Sequence, residues 1–413
     1  MTTSNSATRR PARRRLFLMR LALLIGALPT LAAADIVTDW SAIATTAVVT
    51  RGAPAGGVDF AIVHAAMYDA VNAIDGRHET YLVEPEAQTH GASPEAAAAA
   101  AAHRALVGLF PAQAATLDAA YEASLATVPN SAAKTKGIAV GEEVATRILQ
   151  IRANDGRNAV VPYEFGTGPG TYQRTPPPYP PNGPVNTFLP HVTPLTMLSP
   201  WQFRSYGPPG LGSAIFKRDL EEVRAYGSLT STVRTAEQSE IARFHTENPN
   251  QFWGRNLSAL VASRNLGTAA SARLLALLTF ASADSQIACF DAKYAYNFWR
   301  PVTAIQQDDP AWATFLPTPP HPEYPAAHGC VAGSVAQTLR EYFGKRRLRF
   351  SFTSTVTGTT HYYDSTDDMV REVMDARVYG GMHYRNSTRH GVALGKSVAK
   401  WTIDHALRPR TRH

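Results

Sequence analysis

Only two cysteines, Cys289 and Cys330, occur in 413 residues, so no disulfide framework holds this chain together and at most one internal bridge is available. A buried pair of free thiols is the equal alternative, because unpaired cysteine packs as a small hydrophobe. There is no HExxH helix for a metal, no GxSxG nucleophile elbow and no haem or flavin signature. Gly391-Val392-Ala393-Leu394-Gly395-Lys396-Ser397 has the look of a P-loop, but three residues separate its glycines where four are needed. Beyond residue 34 no apolar run approaches the roughly 20 residues of a membrane span, which predicts a chain without one. Internal repeats and RNA-binding signatures are absent too. With 45% hydrophobic residues the composition is that of a globular protein, neither collagenous nor disordered.

The first 34 residues contain no acid. They hold six arginines (Arg9, Arg10, Arg13, Arg14, Arg15, Arg20), then the apolar run Leu21 to Leu31, then Ala32-Ala33-Ala34. That is the layout of a secretory signal peptide, and Arg14-Arg15-Leu16-Phe17-Leu18 resembles the twin-arginine export pattern. The expected location is therefore the bacterial periplasm or the extracellular space. Cleavage before Asp35 leaves 40 − 6 = 34 basic against 33 acidic residues, a charge of +1 in place of +7. The high pI thus belongs to the leader, and nucleic acid is not expected as a partner.

Residues 35–155 read as packed helices over Phe60–Ile74, from Ser93-Pro94-Glu95 through the Ala96–Ala102 run, Ala112–Thr127 and Ser131–Arg152. His64, Tyr68, Asn72 and Asp75 recur at helical spacing and read as a hydrogen-bonded internal stripe. Residues 156–212 form a Pro/Gly-rich irregular segment, with 13 of the 29 prolines between 162 and 209. Residues 213–413 return to helix over Ala214–Ala225, Thr235–Thr246, Ala269–Phe298, Ala326–Phe343, Thr366–Tyr379 and Tyr384–Ala406. The expected fold is an all-α helical bundle with one long irregular excursion. In the last helix Gly391, Gly395 and Ala399 form a small-residue stripe on which another helix can sit.

Three segments of the second half carry the chemistry. In Lys293-Tyr294-Ala295-Tyr296-Asn297-Phe298-Trp299-Arg300-Pro301 the two cations are seven residues apart, almost two helical turns, which predicts one shared face with Pro301 ending the helix. His321-Pro322-Glu323-Tyr324-Pro325-Ala326-Ala327-His328-Gly329 leads into a helix whose first turn exposes unpaired N–H groups that favour an oxyanion, with the titratable His328 in that turn. In Arg377-Val378-Tyr379-Gly380-Gly381-Met382-His383 an unbroken helix would set Arg and His about 240° apart, but the glycine pair is a natural break. One Lys, two Arg and two His can thus converge on one small oxyanion, with no carboxylate expected to compete in these core patterns.

Together the segments resemble the vanadium-dependent haloperoxidase and phosphatidic acid phosphatase type 2 superfamily, whose pattern is K-x6-RP, then PSGH, then SR-x5-H-x3-D. The resemblance is closest to exported bacterial haloperoxidase-like proteins. It implies the family's helical fold, with Lys293, Arg300, Arg377 and the backbone N–H of Ala327 binding the oxygens of vanadate or phosphate. It implies further that His383 is the vanadium ligand, or the nucleophile of a phosphatase, and that His328 is the acid/base histidine. The substrates would be hydrogen peroxide and halide, or a phosphate ester. One site serves both chemistries because five-coordinate vanadate has the shape of a phosphoryl-transfer transition state. Ala326 replaces the motif's serine hydroxyl, Ala376 its other serine, and Ser387 the aspartate that would orient His383. The alternatives are a phosphatase of the same fold and a non-catalytic oxyanion-binding protein.

Overall fold

Helix boundaries follow local capping chemistry. In the computed structural model, which describes residues 1–2, 35–52, 55–176, 183–344 and 347–410, the compact unit is Ala34–His413. Residues 3–34, the expected export signal, lie outside the described residues. Helix α1 (Ile36–Arg51) starts at Asp35, whose carboxylate accepts the Val37 N–H at 3.1 Å. Helices α2 (Gly56–Asp75), α3 (Pro94–Leu109), α4 (Ala114–Ala126) and α5 (Ala132–Ile151) follow, Ser93 and Ser131 capping the third and fifth. The later part contains α6 (Ala214–Tyr226), α7 (Ala236–Phe244), α8 (Pro249–Ala262), α9 (Thr268–Tyr296), α10 (Pro301–Ile305) and α11 (Ala327–Phe343). After α11 comes the hairpin of β1 (Phe350–Thr353) and β2 (Thr360–Tyr363), antiparallel with Phe350 opposite Tyr363. Helices α12 (Thr366–Tyr379) and α13 (Arg385–His405) complete the bundle. The fold is all-α as expected, with the hairpin as its only sheet among the described residues.

Helix α9 is the axis of the structure. At 29 residues it is long and apolar enough to cross a membrane by composition, but 89% of its most apolar stretch is buried against the other helices. A helix apolar on every side is stable in water only in such a position. Asp284, wholly buried on α9, accepts the backbone N–H groups of Leu195, Thr196 and Met197 and so pins the Pro/Gly-rich excursion to the bundle. The same excursion pairs with the end of α9, where Tyr172 N–H donates to Asn297 O and Trp299 N–H to Gly170 O.

Helices α11 and α13 touch through backbone. A Cβ on Gly395 would lie 1.9 Å from Cys330 O, and one on Gly391 2.4 Å from Ala326 O. The small-residue stripe of the last helix therefore receives α11. The other stripe, on α2, bonds internally: His64 Nε2 meets Ser41 Oγ at 3.2 Å, Tyr68 OH donates to Glu79 O at 2.6 Å, and Asn72 bonds the His78 backbone, while His64 Nδ1 has no partner among the described residues.

Candidate oxyanion site

Lys293 sits in the last turn of α9 and is wholly buried, its Nζ donating to Pro322 O and Glu323 O, both at 2.9 Å. Burial pushes its pKa down to about 8, with the nearby Arg300 adding to the effect. Arg300 does not share a helical face with it. Helix α9 ends at Tyr296, because Asn297 turns left-handed at φ 48°, and Pro301 opens α10 rather than closing α9. The two cations still converge, since the three residues between Tyr296 and Arg300 turn the chain back. Arg300 is also wholly buried, its Nε donating to His321 O at 2.9 Å, Nη1 to Met382 O at 2.9 Å and Nη2 to His321 Nδ1 at 3.0 Å.

Arg377 lies in the last turn of α12, and the helix breaks at Gly380-Gly381 as expected. Gly381 takes φ +80°, and any Cβ there would also come 2.5 Å from Gly227 O. The break returns Met382 and His383 towards the helix end. Arg377 Nη2 donates to Met382 Sδ at 2.8 Å and Nη1 to His245 O at 3.3 Å.

His383 is buried, with Nε2 3.1 Å from Arg300 Nη1 and Nδ1 2.9 Å from Glu323 Oε1. A guanidinium can only donate, so Nε2 is the acceptor and the proton of the neutral ring sits on Nδ1, held by the carboxylate. Glu323 also accepts the Tyr384 N–H at 3.0 Å. Burial pushes the His383 pKa well below the usual histidine range, with Arg300, Lys293 and Arg377 adding to the effect. Burial likewise lifts Glu323 to about 7, against the pull of Lys293 and Arg300.

Glu323 qualifies the expectation that no carboxylate competes in these core patterns: it is buried among the cations, but its hydrogen bonds go to His383 and the Tyr384 N–H. It stands in the second segment, two residues after His321, and supplies from there the partner for His383 that the Asp-to-Ser change removes at Ser387. Ser387 itself is buried, and its hydroxyl lies 3.5 Å from Glu323 O.

Ala326 is the N-cap of α11 and provides no side-chain cap, so the first-turn N–H groups, beginning at Ala327, lack that partner. Ala327 and His328 are half-buried and, with His321, Arg377 and Met382, line a cavity of about 460 Å³. Trp253, Leu257, Leu278, Phe290 and Val331 form much of its apolar wall. His328 makes no hydrogen bond among the described residues; burial, then Arg377 and His245, push its pKa well below the usual histidine range. Both cysteines are free and buried, Cys289 Sγ donating to Pro325 O at 3.7 Å, so no disulfide braces the site.

The structure thus gathers Lys293, Arg300, Arg377 and His383 around the backbone of residues 321–323 and Met382, with Ala327 and His328 on the adjoining cavity wall. Three buried cations accompany one carboxylate, whose hydrogen bonds go to His383 and Tyr384 N–H. That donor set fits an oxyanion of one or two negative charges with a single nitrogen ligand; among the described residues no cluster of three His, Cys, Asp or Glu could cage a metal ion.

Residues 273–411, which contain most of this site, match the family described as the VCPO second helical-bundle domain. A bacterial vanadium-dependent iodoperoxidase superposes with a TM-score of 0.79 at 25% identity, over 92% of this chain and 98% of that one. This chain is similar in fold to a vanadium haloperoxidase over nearly its whole length. A bacterial vanadium-dependent chloroperoxidase in its holo form gives a TM-score of 0.69 at 17% identity over 91% of this chain and 93% of that one, a likeness of fold. The vanadium chloroperoxidase of Curvularia inaequalis is 32% identical over 102 residues, which cover 21% of this chain and 17% of that protein. The haloperoxidase relationship therefore extends over nearly the whole chain in fold and is concentrated in the C-terminal bundle in sequence.

Proposed function

We propose that the protein is an exported, vanadium-dependent haloperoxidase that oxidises halide with hydrogen peroxide. The observation that carries this is His383, held by Glu323 through Nδ1 and presenting Nε2 among three buried cations. When bound, vanadate supplies a Lewis-acid centre at which hydrogen peroxide becomes open to attack by halide. His383 Nε2, which accepts from Arg300 Nη1, would be the atom that holds vanadate once Arg300 turns to the oxygens, with Glu323 keeping the ring in the required tautomer. Lys293, Arg300, Arg377 and the N–H of Ala327 hold the oxygens and stabilise negative charge in a site screened from water. His328, unbonded on the cavity wall, exchanges protons with peroxide and with the departing water. The apolar cavity admits both reactants and limits bulk water.

A phosphatase is the second reading, and Glu323 favours it specifically. Loss of the motif's aspartate argued against a nucleophilic histidine, yet Glu323 gives His383 the same kind of support. The chain from Asp35, stripped of bound metal, separates the two when bromide oxidation by peroxide is assayed with and without orthovanadate, beside hydrolysis of p-nitrophenyl phosphate. Vanadate-dependent bromination that disappears in His383→Ala is expected. Hydrolysis inhibited by vanadate, with no halide oxidation, would give the site to the phosphatase. Arg377→Ala should weaken vanadate affinity more than His328→Ala, because only the former binds the oxygens; equal losses would contradict these roles. N-terminal sequencing of the exported protein should begin at Asp35.

A further inference from the structure

His245 lines the same cavity as His328 but belongs to no segment that carries the oxyanion site. It follows α7, and its ring is held by α12: Nε2 lies 2.9 Å from Glu372 Oε1. A carboxylate can only accept, so Nε2 carries the proton and Nδ1 carries the lone pair. Nδ1 makes no hydrogen bond among the described residues. The Glu372 oxygen is held in turn by His361 Nδ1 at 2.9 Å and Tyr363 OH at 2.6 Å, and His361 Nε2 lies 2.9 Å from Glu240 Oε2. Both ring nitrogens of His361 face carboxylates, so it is an imidazolium that keeps Glu372 ionised. Side-chain exposure is 2% at His245, 18% at Glu372, 16% at His361 and 33% at Glu240, so the line is most buried at its cavity end and most open at Glu240. A carboxylate that fixes one imidazole nitrogen as a donor leaves the other as a base, the arrangement that activates nucleophiles in hydrolytic triads.

We infer that His245 is a second proton-transfer residue of the cavity, with Nδ1 accepting a proton from hydrogen peroxide and Glu372, His361 and Glu240 acting as the positioning line behind it. The inference rests on the haloperoxidase reading. The step balances: the proton leaves the peroxide O–H for Nδ1 and returns to the oxygen that departs as water. The overall reaction consumes one solvent proton, as hydrogen peroxide, halide and a proton give hypohalous acid and water. The groups facing His245 are Glu372 and Arg377 from α12, His361 from β2 and His328 from α11. Burial pushes the His245 pKa down, which keeps the ring neutral and able to accept. The two imidazoles and Tyr363 hold Glu372 at about 2, despite its burial.

The test uses the vanadate-loaded enzyme and its His245→Ala, His245→Gln and Glu372→Gln variants. General acid–base assistance contributes roughly 10²–10⁴-fold, so His245→Gln should lower kcat for bromide oxidation by about that factor while vanadate affinity stays within a few-fold. Added imidazole should restore much of the His245→Ala rate, with the pH dependence of free imidazole. Glu372→Gln should lower kcat less and shift the pH profile. Wild-type kcat and pH profile in His245→Gln, or no imidazole rescue in a folded His245→Ala, would overturn the proposal. Should the wild type oxidise no halide but hydrolyse p-nitrophenyl phosphate, the haloperoxidase reading alone falls and the same loss and rescue are expected on hydrolysis. A wild type with neither activity overturns both.

Discussion

Two buried groups of cations in this protein obey opposite rules. Near the N-terminal helices, Arg152 and Arg157 are matched by Asp155 and Asp59: Arg152 Nε bonds Asp155 at 2.9 Å, and Arg157 reaches Asp155 at 3.1 Å and Asp59 at 3.4 Å. In the C-terminal bundle Lys293, Arg300 and Arg377 are more deeply buried, yet their hydrogen bonds run to backbone carbonyls, imidazoles and a thioether. The first group is closed, each charge answered by another part of the same chain. The second sets three cations around one buried carboxylate, Glu323, and its hydrogen bonds to backbone and imidazole groups hold the cations close together. Arginines matched one to one with carboxylates maintain structure, whereas several cations and titratable imidazoles gathered beside a cavity mark a candidate site for an anion.

The contrast can be broken by substitution. Arg152→Ala leaves Asp155 and Asp59 to share Arg157 and should destabilise the fold by up to about 3–5 kcal/mol, read as the denaturant midpoint. Arg377→Met removes a cation from the open group, so the same measurement should show stability unchanged or raised while kcat falls about 10²–10³-fold. Equal destabilisation by the two variants would erase the distinction. Glu323→Gln keeps the shape but not the charge behind His383 and should cost about 10–100-fold in vanadate affinity or activity, in the range of outer-shell partners of a metal ligand. The smallest effect is expected from Ala326→Ser, which restores one hydroxyl to the oxyanion site and should tighten vanadate binding by about 1 kcal/mol, measured by titration.

Much of this was legible in the amino-acid sequence. Serine, threonine and proline at helix starts marked most helices, and the three cationic segments named residues that the fold does bring together. Helix α8 was missed although Asn248-Pro249 is itself a start signal, and α1 was missed because its cap, Asp35, coincides with the expected cleavage point. The Lys293–Arg300 relation was misread because spacing was taken for a continuous helix, whereas a left-handed Asn297 ends α9 early. Glu323 stood in plain view, but its partner lies 60 residues further on, and no local pattern announces that pairing. The His245, Glu372 and His361 line is still less local: each residue is ordinary in its own segment, and only the docking of the β1–β2 hairpin on α7 and α12 brings them together.

The glycine contact between α11 and α13 carries a consequence for how this site tolerates change. His328 stands in the first turn of one of these helices and His383 lies two residues before the other, so the separation of the two histidines depends on backbone touching backbone at Gly391 and Gly395. A single methyl at Gly395 has no room and would act as a wedge, tilting one histidine away from the other. Such a change, made where no ligand ever reaches, would present in an assay as a damaged active centre, with all of the site's side chains still in place.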